Sequence, residues 1–241
     1  MQFKNEAVKW VRDWFSENGA NSPAIVGISG GKDSSVVAAL CALALGKDRV
    51  FGVLMPNGEQ HDIDYSEELV EFLSIPHVKI NIRESYLSIM ENISKNTKLP
   101  LNDVATLNTP ARIRMTYLYA IGACLNGRVA NTCNLSEDYV GYSTKFGDAA
   151  GDFCPLGKLT VTEVKSLGRE LGLPEKFIEK TPEDGLCGKS DEDNLGFTYD
   201  VLDKYIRTGI CEDDAIRKKI DKMNKASVHK LLPMPVFSPN H

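Results

Sequence analysis

The sequence predicts an α/β fold, in which helices cover a parallel sheet. This prediction rests on an alternation of helix and strand patterns over residues 1–82. Apolar residues recur at helical spacing in three segments and form short buried-strand runs in three others: helices at 3–18, 33–45 and 62–73, and strands at 24–28, 49–55 and 77–82. Such an alternation is typical of helices packed on a parallel sheet. The sequence therefore predicts a Rossmann-like parallel sheet with helices on both faces.

The second half of the chain is more helical. Thr109 and Pro110 predict an N-cap followed by a proline at the first helical position, with the helix running to about Leu125. Thr160 and Glu163 form a predicted capping box. The remaining elements are one strand at 128–133, a loop at 181–196 and helices at 199–207 and 213–230. No segment has the composition of a linker, so we expect a single domain over residues 1–241.

Composition narrows the class of protein. The chain has 241 residues, 42% of them hydrophobic and 25% charged, and a net charge of -5. An acidic balance argues against a nucleic-acid partner, which would favour a basic surplus. The six cysteines form no CxxC pair, which favours a reducing compartment over a metal knuckle. The N-terminal segment lacks a secretory apolar region, and no apolar run is long enough for a membrane span. We therefore expect a cytoplasmic protein.

The strongest motif is the glycine-containing loop Gly27-Ile28-Ser29-Gly30-Gly31-Lys32-Asp33-Ser34-Ser35, between the first strand and the second helix. Glycines allow the backbone to approach an anion closely. Successive backbone N–H groups and the positive end of the following helix can then bind phosphate oxygens. The spacing is neither that of the GxxxxGK[ST] loop nor that of GxGxxG. A capped glycine turn without a ligand is the alternative interpretation.

Asp33 is an unusual residue beside phosphates, because its negative charge repels them. A bridging Mg²⁺ removes this conflict, since carboxylate and phosphate oxygens are its common ligands. The loop therefore predicts a magnesium–nucleotide site.

The loop resembles the SGGxDS signature of the ATP pyrophosphatase superfamily, whose members cleave ATP between the α and β phosphates. Further blocks resemble the ammonia-dependent NAD synthetases. These are Pro56 to Gln60, Asn108 to Met115, Thr132 to Glu137, Gly141 to Asp148 with Asp152, Gly185-Leu186 with Ser190 to Asp193, Leu195 to Tyr199, and His229-Lys230. The resemblance covers about residues 20–233 and rests on the combination of blocks.

The resemblance implies a role for each matching residue. For ATP binding these are Gly27, Ile28, Ser29, Gly30, Gly31, Lys32, Asp33, Ser34, Gln60 and Thr132. Asp33 and Glu137 would hold Mg²⁺ and act in catalysis through it. For deamido-NAD binding the residues are Arg112, Lys145, Asp152, His229 and Lys230. Asp148 or Asp152 would help ammonium lose a proton, with Asp148 the candidate catalytic residue.

The implied reaction is the last step of NAD biosynthesis. ATP adenylylates the nicotinate carboxylate of deamido-NAD, and ammonia then displaces AMP to give NAD. The resemblance also implies a homodimer. No region of the chain carries the features of a glutamine-hydrolysing domain, so free ammonia, or a separate ammonia-supplying protein, is the expected nitrogen source.

Three positions depart from the family pattern. Leu54 stands where many members carry arginine, Val161 stands where a lysine commonly reaches the phosphates, and Glu183 stands where Ser or Thr is common. Leu231 likewise replaces a common arginine after His229-Lys230. Our hypothesis is that one of three lysines supplies the missing charge: Lys32, Lys158 or Lys180.

Several alternatives stay open from the sequence alone. One is another member of the superfamily, such as a tRNA sulfurtransferase or a GMP-type amidating enzyme. Another is a nucleotide-binding regulatory module without chemistry. Arg112 and Arg114 point in different directions on a helix, and we favour Arg112 as the substrate ligand. His229-Lys230 could be a solvated helix end. The acidic run 191–193 is interpreted as a helix N-terminal charge cluster.

Overall fold

A computed structural model of the chain describes residues 2–179 and 191–238. Its sheet contains β1 (Ala24–Gly27), β2 (Val50–Leu54), β3 (His77–Lys79) and β4 (Arg128–Val129). The helices of the first half are α1 (Gln2–Asn18), α2 (Lys32–Leu45), α3 (Ile63–Leu73), α4 (Arg83–Asn96) and α5 (Asp103–Leu125). Those of the second half are α6 (Leu135–Val140), α7 (Val161–Glu170), α8 (Glu175–Ile178), α9 (Asp191–Leu195), α10 (Tyr199–Thr208) and α11 (Asp214–Leu231).

The described strands form a parallel sheet in the order β3-β2-β1-β4. The chain builds β1, β2 and β3 in one direction. It then returns across the sheet through α4 and α5 and adds β4 on the other side of β1. The order of the strands thus reverses between β1 and β4, and at such a point a crevice lies outside the carboxyl ends of the two strands. In open α/β sheets this is where ligands bind.

Side chains of the sheet alternate between two apolar layers. Ala24 and Val26 of β1 belong to the core formed with α1 and α2, whereas Ile25 belongs to the core formed with α5. The predicted α/β fold with helices on both faces is confirmed. A third apolar cluster joins α6, α7, α10 and α11 through residues such as Val140 and Leu202. This cluster fixes the second half of the chain beside the crevice.

The N-terminal boundary predicted for α5 was wrong. The helix begins at Asp103 rather than near Pro110, because the Asn102 side chain accepts a hydrogen bond from the N–H of Ala105, at 2.9 Å, and caps it. Pro110 lies inside the helix, where it lacks the N–H that would bond to the carbonyl of Thr106. The Thr109 hydroxyl instead donates to the carbonyl of Ala105, at 2.6 Å.

The other predicted elements lie close to those observed. The capping box of Thr160 and Glu163 is present at the start of α7. The strand predicted at 128–133 is shorter, since only Arg128 and Val129 pair with β1 and Ala130 then bridges to Phe153. The helices α4, α6 and α8 were not predicted, and α9 lies in the segment 181–196 that was predicted as a loop. Across residues 2–179 and 191–238, every helix is too short or too polar to cross a membrane.

Candidate active site

The glycine-containing loop connects the end of β1 to the first residue of α2. Gly30 has a φ of +74°, which L side chains rarely adopt. A Cβ at this position would lie 2.8 Å from the Cβ of Tyr65 and 2.9 Å from the backbone nitrogen of Ser66. The loop therefore packs directly onto the start of α3, and this packing requires glycine at position 30.

Hydrogen bonds within the loop hold its turn. The hydroxyls of Ser29 and Ser34 lie 3.1 Å apart, and the Ser34 hydroxyl also donates to the carbonyl of Gly31, at 3.1 Å. The N-cap of α2 is Gly31, and no side chain caps the first turn of this helix. The N–H groups at the start of α2 thus remain available to an anion, which the prediction of a phosphate site at residues 27–34 requires.

Two carboxylates meet beside this loop, although they lie far apart in the sequence. Asp33 is in the first turn of α2 and Glu137 in the first turn of α6. The Lys32 ammonium bridges them, 2.8 Å from Asp33 Oδ2 and 3.3 Å from Glu137 Oε1. We call Asp33 and Glu137 the acid pair. Their side chains are 18% and 15% exposed, so they are largely shielded from water while still reachable from the crevice.

Burial and charge perturb this group of residues strongly. Burial and the neighbouring Asp33 carboxylate raise the pKa of Glu137 above its ordinary value, against the opposing effect of Lys32. Burial works against the charge of Lys32, but the Asp33 and Glu137 carboxylates outweigh it and raise the pKa of the ammonium. The lysine therefore stays charged, and its charge compensates the acid pair.

Asn134 contacts both members of the acid pair and holds them in place. No role was predicted for it from the sequence. Its Oδ1 accepts a hydrogen bond from the Glu137 N–H, at 3.1 Å, and caps α6. Its amide group donates to Asp33 Oδ1, at 2.9 Å, and the residue is fully buried. An asparagine three residues before a glutamate is a helix N-terminal signal, so the spacing could have revealed the cap. The contact with Asp33 depends on tertiary structure.

The acid pair has the donor chemistry that Mg²⁺ prefers, and a positive charge already sits between its two oxygens. Among the described residues there is no group of three or more His, Cys, Asp or Glu side chains that could hold a metal. A metal held by Asp33 and Glu137 would therefore take its other ligands from phosphates and water, which is the usual arrangement for Mg²⁺ at a nucleotide.

Gln60 lies in the segment between β2 and α3. With Pro56, Gly58 and Lys79 it lines a cavity of about 430 Å³ at the carboxyl ends of β2 and β3. The Gln60 amide group donates to Asp62 Oδ1, at 2.8 Å. Thr132 lies in the loop after β4, so the two residues expected to contact the nucleotide follow different strands at the same edge of the sheet.

Four residues predicted to bind deamido-NAD are linked in one group, which we call the basic cluster: Arg112, Lys145, His229 and Lys230. Arg112 Nε donates to the carbonyl of Lys145, at 3.2 Å, and Lys145 Nζ donates to the carbonyl of His229, at 2.9 Å. Lys230 Nζ donates to the carbonyls of Gly141 and Ser143, at 2.8 and 3.0 Å. Helix α5, the loop after α6 and helix α11 thus bring these residues together.

The two arginines of α5 differ in their surroundings. Arg112 is exposed, whereas Arg114 Nε donates to the carbonyl of Met55, at 3.0 Å. Burial lowers the pKa of Arg114, which has a structural contact with the end of β2. Of the two side chains, that of Arg112 is the more accessible to a ligand, and its role as the substrate ligand stays a prediction.

Asp152 has no observed hydrogen bond to the basic cluster. Its carboxylate accepts from the Val129 N–H, at 2.7 Å, and from the Tyr119 hydroxyl, at 3.2 Å. Together with Tyr119 it lines a second cavity of about 350 Å³. Tyr119 follows Arg112 by two helical turns on α5, a separation of about 10 Å along the axis.

Asp148 lies in the same loop as Lys145. Its carboxylate accepts a hydrogen bond from the Thr144 N–H, at 3.0 Å. The residue is accessible to solvent, yet partial loss of hydration around the carboxylate raises its pKa. Such a shift moves an aspartate toward the range in which it can exchange protons.

Two of the positions that depart from the family pattern, Leu54 and Val161, are apolar and buried. Leu54 is fully buried at the end of β2, and Val161 is 4% exposed in the cluster that contains Leu202. Of the three lysines considered as replacements, Lys158 is exposed, and Lys32 contacts the acid pair. Lys180 lies outside the described residues, as do Glu183, Gly185-Leu186 and Ser190.

The acidic run 191–193 begins α9, as its interpretation as a helix start predicted, and Asp191 also accepts from the Tyr199 hydroxyl, at 3.4 Å.

Comparison with known proteins identifies the family. The NAD synthase family model matches residues 3–235. The chain is 40% identical to the NH(3)-dependent NAD(+) synthetase of Methanocaldococcus jannaschii over 209 residues, which is 84% of this chain and 79% of that protein. The structure of NMN synthetase from Francisella tularensis superposes with a TM-score of 0.88 and 33% identity, covering 100% of this chain and 98% of the other. The NH3-dependent NAD synthetase from Campylobacter jejuni gives 0.77 and 28%, covering 98% of each chain. This chain belongs to the NAD synthase family, a family of ligases.

Proposed function

We propose that this protein joins ammonia to the nicotinate carboxylate of deamido-NAD at the expense of ATP, giving NAD, AMP and pyrophosphate. The observation that carries the proposal is the acid pair beside an uncapped helix start, at the crevice between β1 and β4. Phosphates bind at helix starts, and a carboxylate pair suits the metal that accompanies them. The NAD synthase family match supplies the reaction.

In the first half-reaction a carboxylate oxygen of deamido-NAD attacks the α-phosphorus of ATP. The bond from that phosphorus to the bridging oxygen breaks, and pyrophosphate leaves with the electron pair. The N–H groups at the start of α2 and the hydroxyl of Ser29 bind phosphate oxygens as negative charge develops on them. Fixed donors of this kind commonly contribute the largest catalytic effect.

In the second half-reaction ammonia attacks the carbonyl carbon of the mixed anhydride. The carbon–oxygen bond to AMP breaks, and the nitrogen loses a proton to form the amide. Asp148 is our candidate to take a proton from ammonium, because it lies in the same loop as Lys145 of the basic cluster. The basic cluster would hold deamido-NAD by exchanging its present carbonyl contacts for the anionic groups of the substrate.

Magnesium is the metal that we propose for Asp33 and Glu137. When bound, it would neutralise charge on the phosphates of ATP and on the leaving pyrophosphate. Asn134 would hold Asp33 in the orientation seen here.

We also propose a cytoplasmic homodimer. Helix α1 is a poor candidate for the interface, since Val8, Val11 and Phe15 pack inside the chain. Helix α5 presents Val104 and Leu107, which are 65% and 50% exposed. Val104→Glu with Leu107→Glu is expected to give a monomer in sedimentation equilibrium, and a dimer that persists would exclude this face.

The test of the function measures pyrophosphate and NAD in parallel, from ATP, Mg²⁺ and deamido-NAD, with and without ammonium. NAD is expected only when all components are present, and Asp33→Asn is expected to abolish it. Asp48→Asn is the matched control, because Asp48 is exposed in the short 3-10 helix after α2. Pyrophosphate without NAD would indicate a different acceptor for the adenylylated product. No pyrophosphate at all would favour the regulatory module.

A second candidate is amidation of the mononucleotide, nicotinate mononucleotide, by the same chemistry. The observation that favours it is the superposition on NMN synthetase with a TM-score of 0.88 over 100% of this chain. The two substrates share the carboxylate and differ by an adenylyl group. We expect a higher kcat/KM for deamido-NAD, measured with both compounds under one set of conditions. A higher kcat/KM for the mononucleotide would replace our first proposal by the second.

A further inference from the structure

Lys32 has surroundings that its place in the loop alone does not explain. It is a lysine with only 4% of its side chain exposed, although lysines are seldom fully buried without a partner. Its ammonium contacts both members of the acid pair, and it also lies 5.6 Å from the centroid of the Tyr199 ring. The ammonium thus lies among two carboxylates and an aromatic face, all of which attract a cation.

The other described lysine ion pairs are different. Lys79 pairs with Glu67 and Lys165 with Glu179 on the surface, where their side chains are 54% and 33% exposed. Exposed pairs of this kind contribute little to stability. Lys32 instead bridges two carboxylates that come from α2 and α6, so a single ammonium compensates charges from two elements.

The position of this ammonium coincides with the position that the acid pair offers a metal. Its distances of 2.8 and 3.3 Å to the two carboxylate oxygens put it between them. A divalent cation held by the same oxygens would need to approach each to about 2.1 Å. Two cations cannot share this space, because their mutual repulsion is strong at such separations.

We propose that Lys32 is an internal substitute for the metal: its ammonium occupies the cation position of the acid pair in the ligand-free chain, and a divalent metal must displace it to bind. The proposal rests on the metal role given to Asp33 and Glu137 under the proposed function. Displacement costs the two ion pairs of Lys32, so a metal alone binds weakly. ATP phosphates offer the released ammonium a new partner, so metal and nucleotide bind together.

The test uses Mn²⁺ alone as the probe and measures its binding to the full chain by electron paramagnetic resonance, without nucleotide. Lys32→Met removes the charge and keeps an unbranched side chain of similar length. We expect it to bind Mn²⁺ about tenfold more tightly than the wild type, or more, because the competing cation is gone. Lys32→Arg keeps the charge and is expected to bind as weakly as the wild type.

Two further variants identify the site of any gain. Lys47→Met is the matched control, since Lys47 is exposed in the 3-10 helix after α2, and it should leave Mn²⁺ binding unchanged. Adding Asp33→Asn to Lys32→Met should remove the gain. If Lys32→Met binds Mn²⁺ no more tightly than the wild type, Lys32 is an ordinary structural ion pair and the proposal is wrong.

The melting temperature is a second readout, which remains informative if Lys32→Met is less stable than the wild type. Without the ammonium, the carboxylates of Asp33 and Glu137 repel each other. The melting temperature of Lys32→Met measured with a chelator should therefore fall below that of the wild type. Mn²⁺ should raise it by more than it raises the wild-type value. An equal increase in both proteins would overturn the proposal. Neither readout involves turnover, so a wrong acceptor substrate would leave these results unchanged.

Discussion

The acid pair and the basic cluster are held in different ways. Asp33 and Glu137 are largely buried and contact side chains, namely those of Lys32 and Asn134. The side chains of Arg112, Lys145 and Lys230 donate to backbone carbonyls, and Arg112 and His229 are exposed. The first region is therefore fixed before ligands bind. The second consists of basic residues whose carbonyl partners can be replaced, which suits the substrate binding that we propose for them.

The largest expected effect comes from Glu137→Gln. We expect pyrophosphate release to fall about 10²–10³-fold, the range for losing one group that stabilises developing charge. The melting temperature should not fall, because the hydrogen bond between Asn134 and the Glu137 backbone remains and Lys32 still pairs with Asp33. Glu6→Gln, on the exposed surface of α1, is the control. If the melting temperature of Glu137→Gln falls together with its rate of pyrophosphate release, the acid pair has a structural role instead.

Gly30→Ala tests whether the loop is preformed. The new Cβ would adopt an unfavourable φ and meet Tyr65, so we expect the free energy of unfolding to fall by about 1–3 kcal/mol. Gly31→Ala is the matched control, since its nearest neighbour would be the Ser29 hydroxyl at 3.5 Å. Urea denaturation of both variants measures the difference. Equal effects would contradict a packing requirement specific to position 30.

Arg112→Gln tests the basic cluster. We expect the KM for deamido-NAD to rise about tenfold, as one charged hydrogen bond is lost, while stability stays unchanged. Arg114→Gln should do the reverse, lowering stability because the buried contact with Met55 is lost. Steady-state kinetics and thermal melting on both variants separate the roles. If the KM for deamido-NAD rises only in Arg114→Gln, then Arg114 is the substrate ligand and Arg112 is not.

The smallest expected effect separates the two contacts of Asn134. Asn134→Ser keeps an N-cap oxygen but is too short to reach Asp33. Asn134→Ala loses both contacts and should lower the free energy of unfolding by about 1 kcal/mol. We expect Asn134→Ser to retain most of the stability and to share the lower activity of Asn134→Ala. Full activity in Asn134→Ser would mean that Asp33 needs no support from this amide.

Predictions from the sequence were correct where the signal was local. The glycine-containing loop, the capping box at Thr160 and the alternation of helices and strands each depend on neighbouring residues. Features were missed where a distant group made the contact, or where a nearby cap was less obvious. The cap at Asn102 lets α5 begin seven residues before Pro110. The contact of Asn134 with Asp33 joins residues that are 101 apart in the sequence. The hydrogen bonds of Asp152 to Val129 and Tyr119 are likewise tertiary contacts that no local pattern indicates.

The order of the strands has a consequence for folding. Strands β1, β2 and β3 and the loop after β1 can form from the first third of the chain. The bond between Lys32 and Glu137 spans 105 residues, and it requires β4 and α6 to dock against β1. Contacts of such long range form slowly, because a large loop must close first. A refolding chain will therefore regain helix and sheet signals before activity, and recovery of pyrophosphate release will report the docking of β4.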